Sequence, residues 1–209
     1  KLENFYQENT NSIDDFNQII IYLNKKDKKK LYHLHMKTCI RDVFYPIEIE
    51  LTKIVKQLTR SNFIRIINNS PEYLLGLPKD KRLIYDWHQE CNYYKKVSPV
   101  ITAHYPLNVR CSHLNGAMSL LIKSSTLGKI EYDRDKIKNG YTNLLPIGIT
   151  DILKNYKQIQ PTLEIGDCII FDEFSIHKSN YNMSDIPRTV GVIRFTSQND
   201  TDGDNFVDY

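Results

Sequence analysis

The sequence predicts a mainly β protein, a sandwich or jelly roll with helices added at its front. Two observations predict it. From Asn62 onward the chain breaks into short apolar stretches separated by turn residues, the texture of many short strands. Before Asn62 the apolar residues recur instead at helical spacing. At 209 residues, 41% of them hydrophobic, the chain can bury a full core as one domain. Its parts are a helical support over 1–61, a β core over 62–197 and an acidic tail over 198–209.

Residues 1–12 are polar and form an entry segment. Ser12 is placed to cap a helix over 13–24, with Asp14 and Asp15 in the first turn, where carboxylates favour the helix dipole. Phe16, Ile19, Ile20 and Leu23 then share one face. The run Lys25-Lys26-Asp27-Lys28-Lys29-Lys30 reads either as an anion contact or as a solvated helix end and linker, and the second is the ordinary outcome. His33 and His35 point together only on a strand. With no third ligand near them they read as structural or surface residues. Pro46 suits the first turn of a helix that runs to Arg60, with Ile47, Leu51, Ile54, Val55 and Leu58 along its apolar face.

Strands are expected over 63–67, 72–75, 82–88, 100–105, 116–122, 162–165, 168–171 and 189–196. Asn69-Ser70-Pro71, Asn115-Gly116 and Gly166-Asp167 punctuate them. The stretch 132–156 reads as an insertion with a short helix over 146–156, and an insertion of that size suits a lid or substrate loop. The tail has alternating Asp around Gly203, a fragment of a calcium loop without its closing Glu, and is expected to be disordered.

A net charge of +3 gives no footprint for nucleic acid. Four cysteines without a CxxC spacing fit a reduced, cytoplasmic setting. No apolar run has the length of a membrane span. The chain starts at Lys1 rather than Met, which leaves room for upstream residues, and shows no signal peptide.

The chemistry concentrates in two distant segments. In Tyr85-Asp86-Trp87-His88-Gln89-Glu90, His88 and Glu90 are two apart, so a strand would project both from one face. Downstream, the turn Gly166-Asp167 feeds an apolar strand that runs on to His177. Singly, each His is more often a packed residue than a ligand. Together, two His and one carboxylate cap one side of a metal and leave positions open, the donor set expected of non-haem Fe(II) oxygenases. Arg188 immediately precedes the apolar strand over 189–196, and a hairpin would carry it into the same pocket. A buried Arg requires an acidic partner, which a diacid co-substrate supplies.

The sequence resembles the phytanoyl-CoA dioxygenase family of Fe(II)/2-oxoglutarate oxygenases, roughly from Asn62 to Ser197. Trp87-His88-Gln89-Glu90, Tyr105-Pro106-Leu107, Asn115-Gly116-Ala117-Met118 and the run from His177 through Ser179, Asn182 and Ser184 to Arg188 carry the likeness. The resemblance implies a double-stranded β-helix of the cupin-like jelly-roll type. It implies iron held by His88, Glu90 and His177, and 2-oxoglutarate gripped by Arg188 with Ser179. It places Asn115 and Tyr105 at the co-substrate pocket. For each of these a plainer reading stands beside it: a turn for Asn115, core for Tyr105, a loop hydrogen bond for Ser179. The implied reaction uses O2 and 2-oxoglutarate, releases succinate and CO2, and oxidises a C–H bond of a small molecule such as a sugar, lipid or natural-product intermediate.

Two departures stand out. Glu90 sits where the family has Asp; it keeps the charge, which disfavours a halogenase. Ile122-Lys123-Ser124-Ser125 stands where the family tends to have Pro-Gly-Ser-His, so substrate contacts from that loop do not transfer. Asp86 reads as structural. Tyr93, Tyr94, Lys95, Lys96, Lys123 and Lys129 read as solvated surface or as contacts for a phosphate or carboxylate. The competing functions are a metal-dependent isomerase or epimerase that uses the same ligands without 2-oxoglutarate, and a non-catalytic jelly-roll binding module. Oligomeric state is not legible.

Overall fold

The computed structural model describes residues 15–38, 41–67, 72–81, 84–94, 97–134, 144–197 and 206–208. Among the described residues three helices lead: α1 (Phe16–Lys26), α2 (Lys28–Thr38) and α3 (Arg41–Thr59). The cap of α1 is Asp15, whose carboxylate accepts from the Gln18 N–H at 3.0 Å; Ser12 lies outside the described residues. The lysine run is the joint between α1 and α2. There the Asp27 N–H donates to the Leu23 carbonyl, closing α1, while its carboxylate accepts from the Lys30 N–H and opens α2. In α3, Pro46 lies inside the helix rather than in its first turn, because the helix begins at Arg41. Proline removes one ladder hydrogen bond there, and burial of Phe44, Leu51 and Val55 on the sheet outweighs it.

Among the described residues nine strands follow: β1 (Arg65–Ile67), β2 (Glu72–Gly76), β3 (Ile101–Pro106), β4 (Ser119–Leu121), β5 (Gln158–Ile159), β6 (Ile169–Asp172), β7 (His177–Lys178), β8 (Arg188–Thr196) and β9 (Phe206–Asp208). They form two antiparallel sheets. The larger runs β6-β3-β8-β1-β9, with β2 also paired to β8; the smaller runs β5-β4-β7. Two sheets of this kind, enclosing a cavity, make the jelly roll that the sequence predicts. The expected strand over 82–88 reduces to one bridge, His88 with His177, and that over 162–165 to the bridge Cys111 with Leu163; residues 82 and 83 lie outside the described residues. Of the tail only 206–208 are described, and there β9 pairs with β1 from Arg65 opposite Asp208 to Ile67 opposite Phe206; the Asp-rich stretch around Gly203 lies outside the described residues.

Strand alternation divides the large sheet into two faces. Tyr73 and Leu75 of β2, Ala103 and Tyr105 of β3, and Ile193 and Phe195 of β8 meet the three helices in the main core. The opposite face carries Glu72, Leu74, Thr102, His104, Val192 and Arg194, which line a cavity between the sheets. A second cluster, Trp87, Leu121, Leu145 and Ile176, lies on the outer side of the small sheet. The helix α4 (Ile149–Asn155) docks there through Ile149 and Ile152. The described part of the insertion therefore braces the back of the small sheet and does not close over the cavity; residues 135–143 lie outside the described residues. No helix among the described residues is long and apolar enough to cross a membrane.

Candidate metal centre

His88 and His177 face each other as an antiparallel bridge. Each backbone N–H donates to the other's carbonyl, at 3.0 and 3.1 Å, and the ring centroids lie 4.1 Å apart. Gln89 is extended and fully buried. Its amide donates to the Gly128 and Phe174 carbonyls and accepts from the Ile130 N–H. That fixes the backbone so that Trp87 and Gln89 point outward while His88 and Glu90 enter the cavity. Glu90 itself opens a 3-10 turn, Glu90–Asn92, rather than continuing a strand. The expected shared face thus arises from one extended residue, not from a strand. The sequence offered a signal for Gln89 only in its place between two ligands.

The ligand atoms of His88, Glu90 and His177 all lie within 4.8 Å of one another, and all three residues are buried. His88 Nδ1 sits 2.6 Å from the Asp86 carbonyl and His177 Nδ1 3.0 Å from the Ser175 carbonyl. A carbonyl oxygen only accepts, so each Nδ1 carries a proton and each Nε2 is the ring nitrogen left for a metal. His177 Nε2 faces Glu90 Oε1 at 3.5 Å. Backbone carbonyls on Nδ1 are the usual outer support of metal-bound imidazoles. Burial and the neighbouring His177 push the His88 pKa down to about 3, keeping it in the neutral form that ligates. Burial raises the Glu90 carboxyl, but Arg194 and the two imidazoles outweigh it and hold Glu90 well below the usual carboxylate range. The donor set therefore fits a divalent metal such as iron.

Arg194 was not foreseen in the sequence. Its Nε donates to Glu90 Oε2 at 2.8 Å and its Nη2 to Oε1 at 3.3 Å, while Nη1 lies 3.1 Å from Glu72 Oε2. A lone charge in the apolar strand Val190-Gly191-Val192-Ile193-Arg194 was the available signal.

Arg188 is buried at the far end of the same face of β8, six residues from Arg194 or about 20 Å of strand. No hairpin places it there. His177 and Arg188 belong to different sheets, and the connection crosses between them. Asn182 holds that crossing by donating to the Gly76 and Ile186 carbonyls and accepting from Ser184. Arg188 Nε donates to the Asn115 carbonyl at 3.0 Å, and its guanidinium also meets Cys111. Among the described residues no carboxylate lies within ion-pair distance of it. Gly76, its register partner, leaves room for the guanidinium: a Cβ there would sit 3.0 Å from Nη2. Arg188 lines a cavity of about 70 Å³. Leu74, Tyr85, His104, Met118 and Ser179 line both this space and the cavity of about 200 Å³ at the three ligands.

Two expected pocket residues are elsewhere. Tyr105 projects into the helix-side core, over its register partner Gly191, because odd positions of β3 face the helices; His104 holds the cavity-facing position. The Asn115 side chain holds its own turn, accepting from the Ser112 N–H and donating to the Arg110 carbonyl, and only its backbone oxygen serves Arg188. Ser179 does line both cavities, and its N–H donates to the Tyr85 carbonyl.

The fold and donor set define a jelly-roll metalloprotein class, and the family follows. The family model for phytanoyl-CoA dioxygenase matches residues 2–190, and the chain belongs to that family. No curated protein matches the chain in sequence. Among solved structures it is similar to the epimerase SnoN in complex with Fe3+, alpha ketoglutarate and nogalamycin RO, with TM-score 0.57 and 16% identity over 70% of this chain and 55% of that one. It is also similar to EctD from S. alaskensis with 2-oxoglutarate and 5-hydroxyectoine, with TM-score 0.48 and 17% identity over 64% of this chain and 44% of that one. The chain spans about half the length of these structures.

Proposed function

We propose that the chain is an Fe(II)- and 2-oxoglutarate-dependent dioxygenase that oxidises a C–H bond of a small molecule. The observation that carries this reading is Arg188: a buried guanidinium with no carboxylate partner among the described residues, in a cavity that shares five lining residues with the cavity at His88, Glu90 and His177. An unpaired buried charge is costly, and a diacid supplies its partner. An isomerase working on the same ligands without 2-oxoglutarate would have no use for such a clamp.

His88, Glu90 and His177 would hold the iron, which together with 2-oxoglutarate and O2 supplies the oxidising power for C–H cleavage. The chain's residues bind and orient. Arg188 grips the distal carboxylate, with Ser179 on the wall beside it. The Asp86 and Ser175 carbonyls hold protons on the Nδ1 atoms of the two imidazoles. Leu74, Met118, Phe171 and Val192 exclude water. Tyr85 and Tyr93, each 40% exposed, stand on the cavity where a substrate would enter.

Succinate release tests the reading, measured with Fe(II), 2-oxoglutarate and O2 against pools of small metabolites. Turnover should depend on 2-oxoglutarate and vanish in His88→Ala together with bound Fe(II). Arg188→Ala should raise the 2-oxoglutarate concentration required by about two orders of magnitude, since truncating one partner of a buried charge pair costs ~2–5 kcal/mol. Conversion of a metabolite without consumption of 2-oxoglutarate would favour the isomerase. Unchanged metal content in His88→Ala would leave only a binding module.

A further inference from the structure

Two polar side chains on the cavity face of β3 lack a partner. Thr102 Oγ1 and His104 Nδ1 are both buried without a hydrogen bond, in residues only 1% and 7% exposed. Such an atom costs about 1–3 kcal/mol when left unmet, so the placement points to a ligand that completes it. The two are unequal in position. Thr102 pairs in register with Arg194, at the metal end. His104 pairs with Val192, between the two arginines of β8, and its side chain lines both the cavity at the metal ligands and the cavity at Arg188. A diacid reaching from the metal ligands toward Arg188 would run along a wall that His104 helps to form. The remaining wall there is largely apolar: Leu74, Met118, Val190 and Val192.

We propose that His104 is a further binding residue for the diacid co-substrate, its imidazole hydrogen-bonding a carboxylate oxygen of the molecule that Arg188 grips. The inference rests on the functional reading of the site given above. A 2-oxo diacid brings two carboxylates, and Arg188 meets only one of them. Burial, then the charge of Arg188, pushes the His104 pKa down to about 3. The imidazole is therefore neutral and offers one N–H, a donor that adds polarity without a second buried charge.

Calorimetric titration of 2-oxoglutarate into the Fe(II)-loaded chain without O2 tests it. The variants are His104→Leu and His104→Met, which fill the space without a donor, His104→Gln, which restores one, and Arg188→Ala. His104→Leu and His104→Met should weaken 2-oxoglutarate binding about tenfold or more, the worth of a hydrogen bond to a charged group. His104→Gln should bind more tightly than His104→Met, and Fe(II) affinity should stay as in the parent in all three. The role of His104 is overturned if His104→Met binds 2-oxoglutarate as the parent does, if Gln and Met are equivalent, or if Fe(II) affinity falls in step. A parent protein that binds no 2-oxoglutarate, or an Arg188→Ala variant that binds it unchanged, sinks the site reading itself and His104 with it. Should His104→Leu not fold, the Met and Gln pair decides the question.

Discussion

Glu90 has one methylene more than the Asp that the family resemblance leads one to expect, and Arg194 takes up its reach. The guanidinium holds both carboxylate oxygens and is braced from behind by Glu72. Tyr94 lies over the guanidinium, 5.4 Å from ring centroid to Cζ. A buried ion pair is weak support compared with an apolar substitute, but breaking one side strands the other charge. Arg194→Met should therefore lower the unfolding free energy of the metal-free protein by about 3 kcal/mol, read from urea unfolding. Adding Glu90→Gln to that variant should recover much of the loss, because the stranded charge is gone. If the two single losses simply add, the pair is not coupled.

At the scale of the element, β3 and β8 set what each side chain can reach. One register step separates Tyr105, in the core with the helices, from His104, in the cavity. Opposite Tyr105, Gly191 has no Cβ because the phenol ring crosses its Cα. Gly191→Ala should cost about 1–3 kcal/mol by overpacking, seen as a lower urea midpoint, even though alanine propensity favours a strand no less than glycine. A truncation that makes space, Tyr105→Leu combined with Gly191→Ala, should be less damaging than the sum of the two. The sheet also explains why Arg188 and Arg194 line two neighbouring cavities: both sit on the same face of a single strand, β8, whose residues are buried throughout.

Across the whole molecule, one sheet separates an apolar helix-packed face from a polar cavity that buries ionisable groups. His88 and His104 both have pKa values pushed down to about 3 by burial. Between their folded values and the unfolded value of about 6.5, only the unfolded chain takes up these protons. Their burial therefore leaves stability complete above about pH 6.5 and erodes it as pH falls toward 3. Glu90, held below the carboxylate range, acts in the same direction at still lower pH: its contribution is present above the unfolded carboxylate pKa and lost as pH falls through the folded one. Metal-free protein should thus lose thermal stability steadily below about pH 6.5, and His104→Leu should flatten that slope in differential scanning calorimetry. A slope unchanged by His104→Leu would count against its burial as a neutral group.

The sequence by itself determined the buried face of α1, most of the strands and the donor types of the site; on α3 it placed Leu51 and Val55 correctly, while Ile54 and Leu58 of the expected apolar face are exposed. Periodicity of 3.6 or 2 records which side of an element is buried, and His88, Glu90, His177 and Arg188 are chemically conspicuous wherever they fall. Only the tertiary structure decided which of these groups meet and through what. Whether Tyr105 or His104 enters the cavity depends on strand register, and whether Asn115 offers its amide or its carbonyl depends on the turn it closes. Gln89 and Arg194 owe their roles to partners 39 to 104 residues away in the chain, and such contacts leave no periodic trace. Local pattern encodes local burial; the meeting of distant polar groups is set by how the two sheets close over one another.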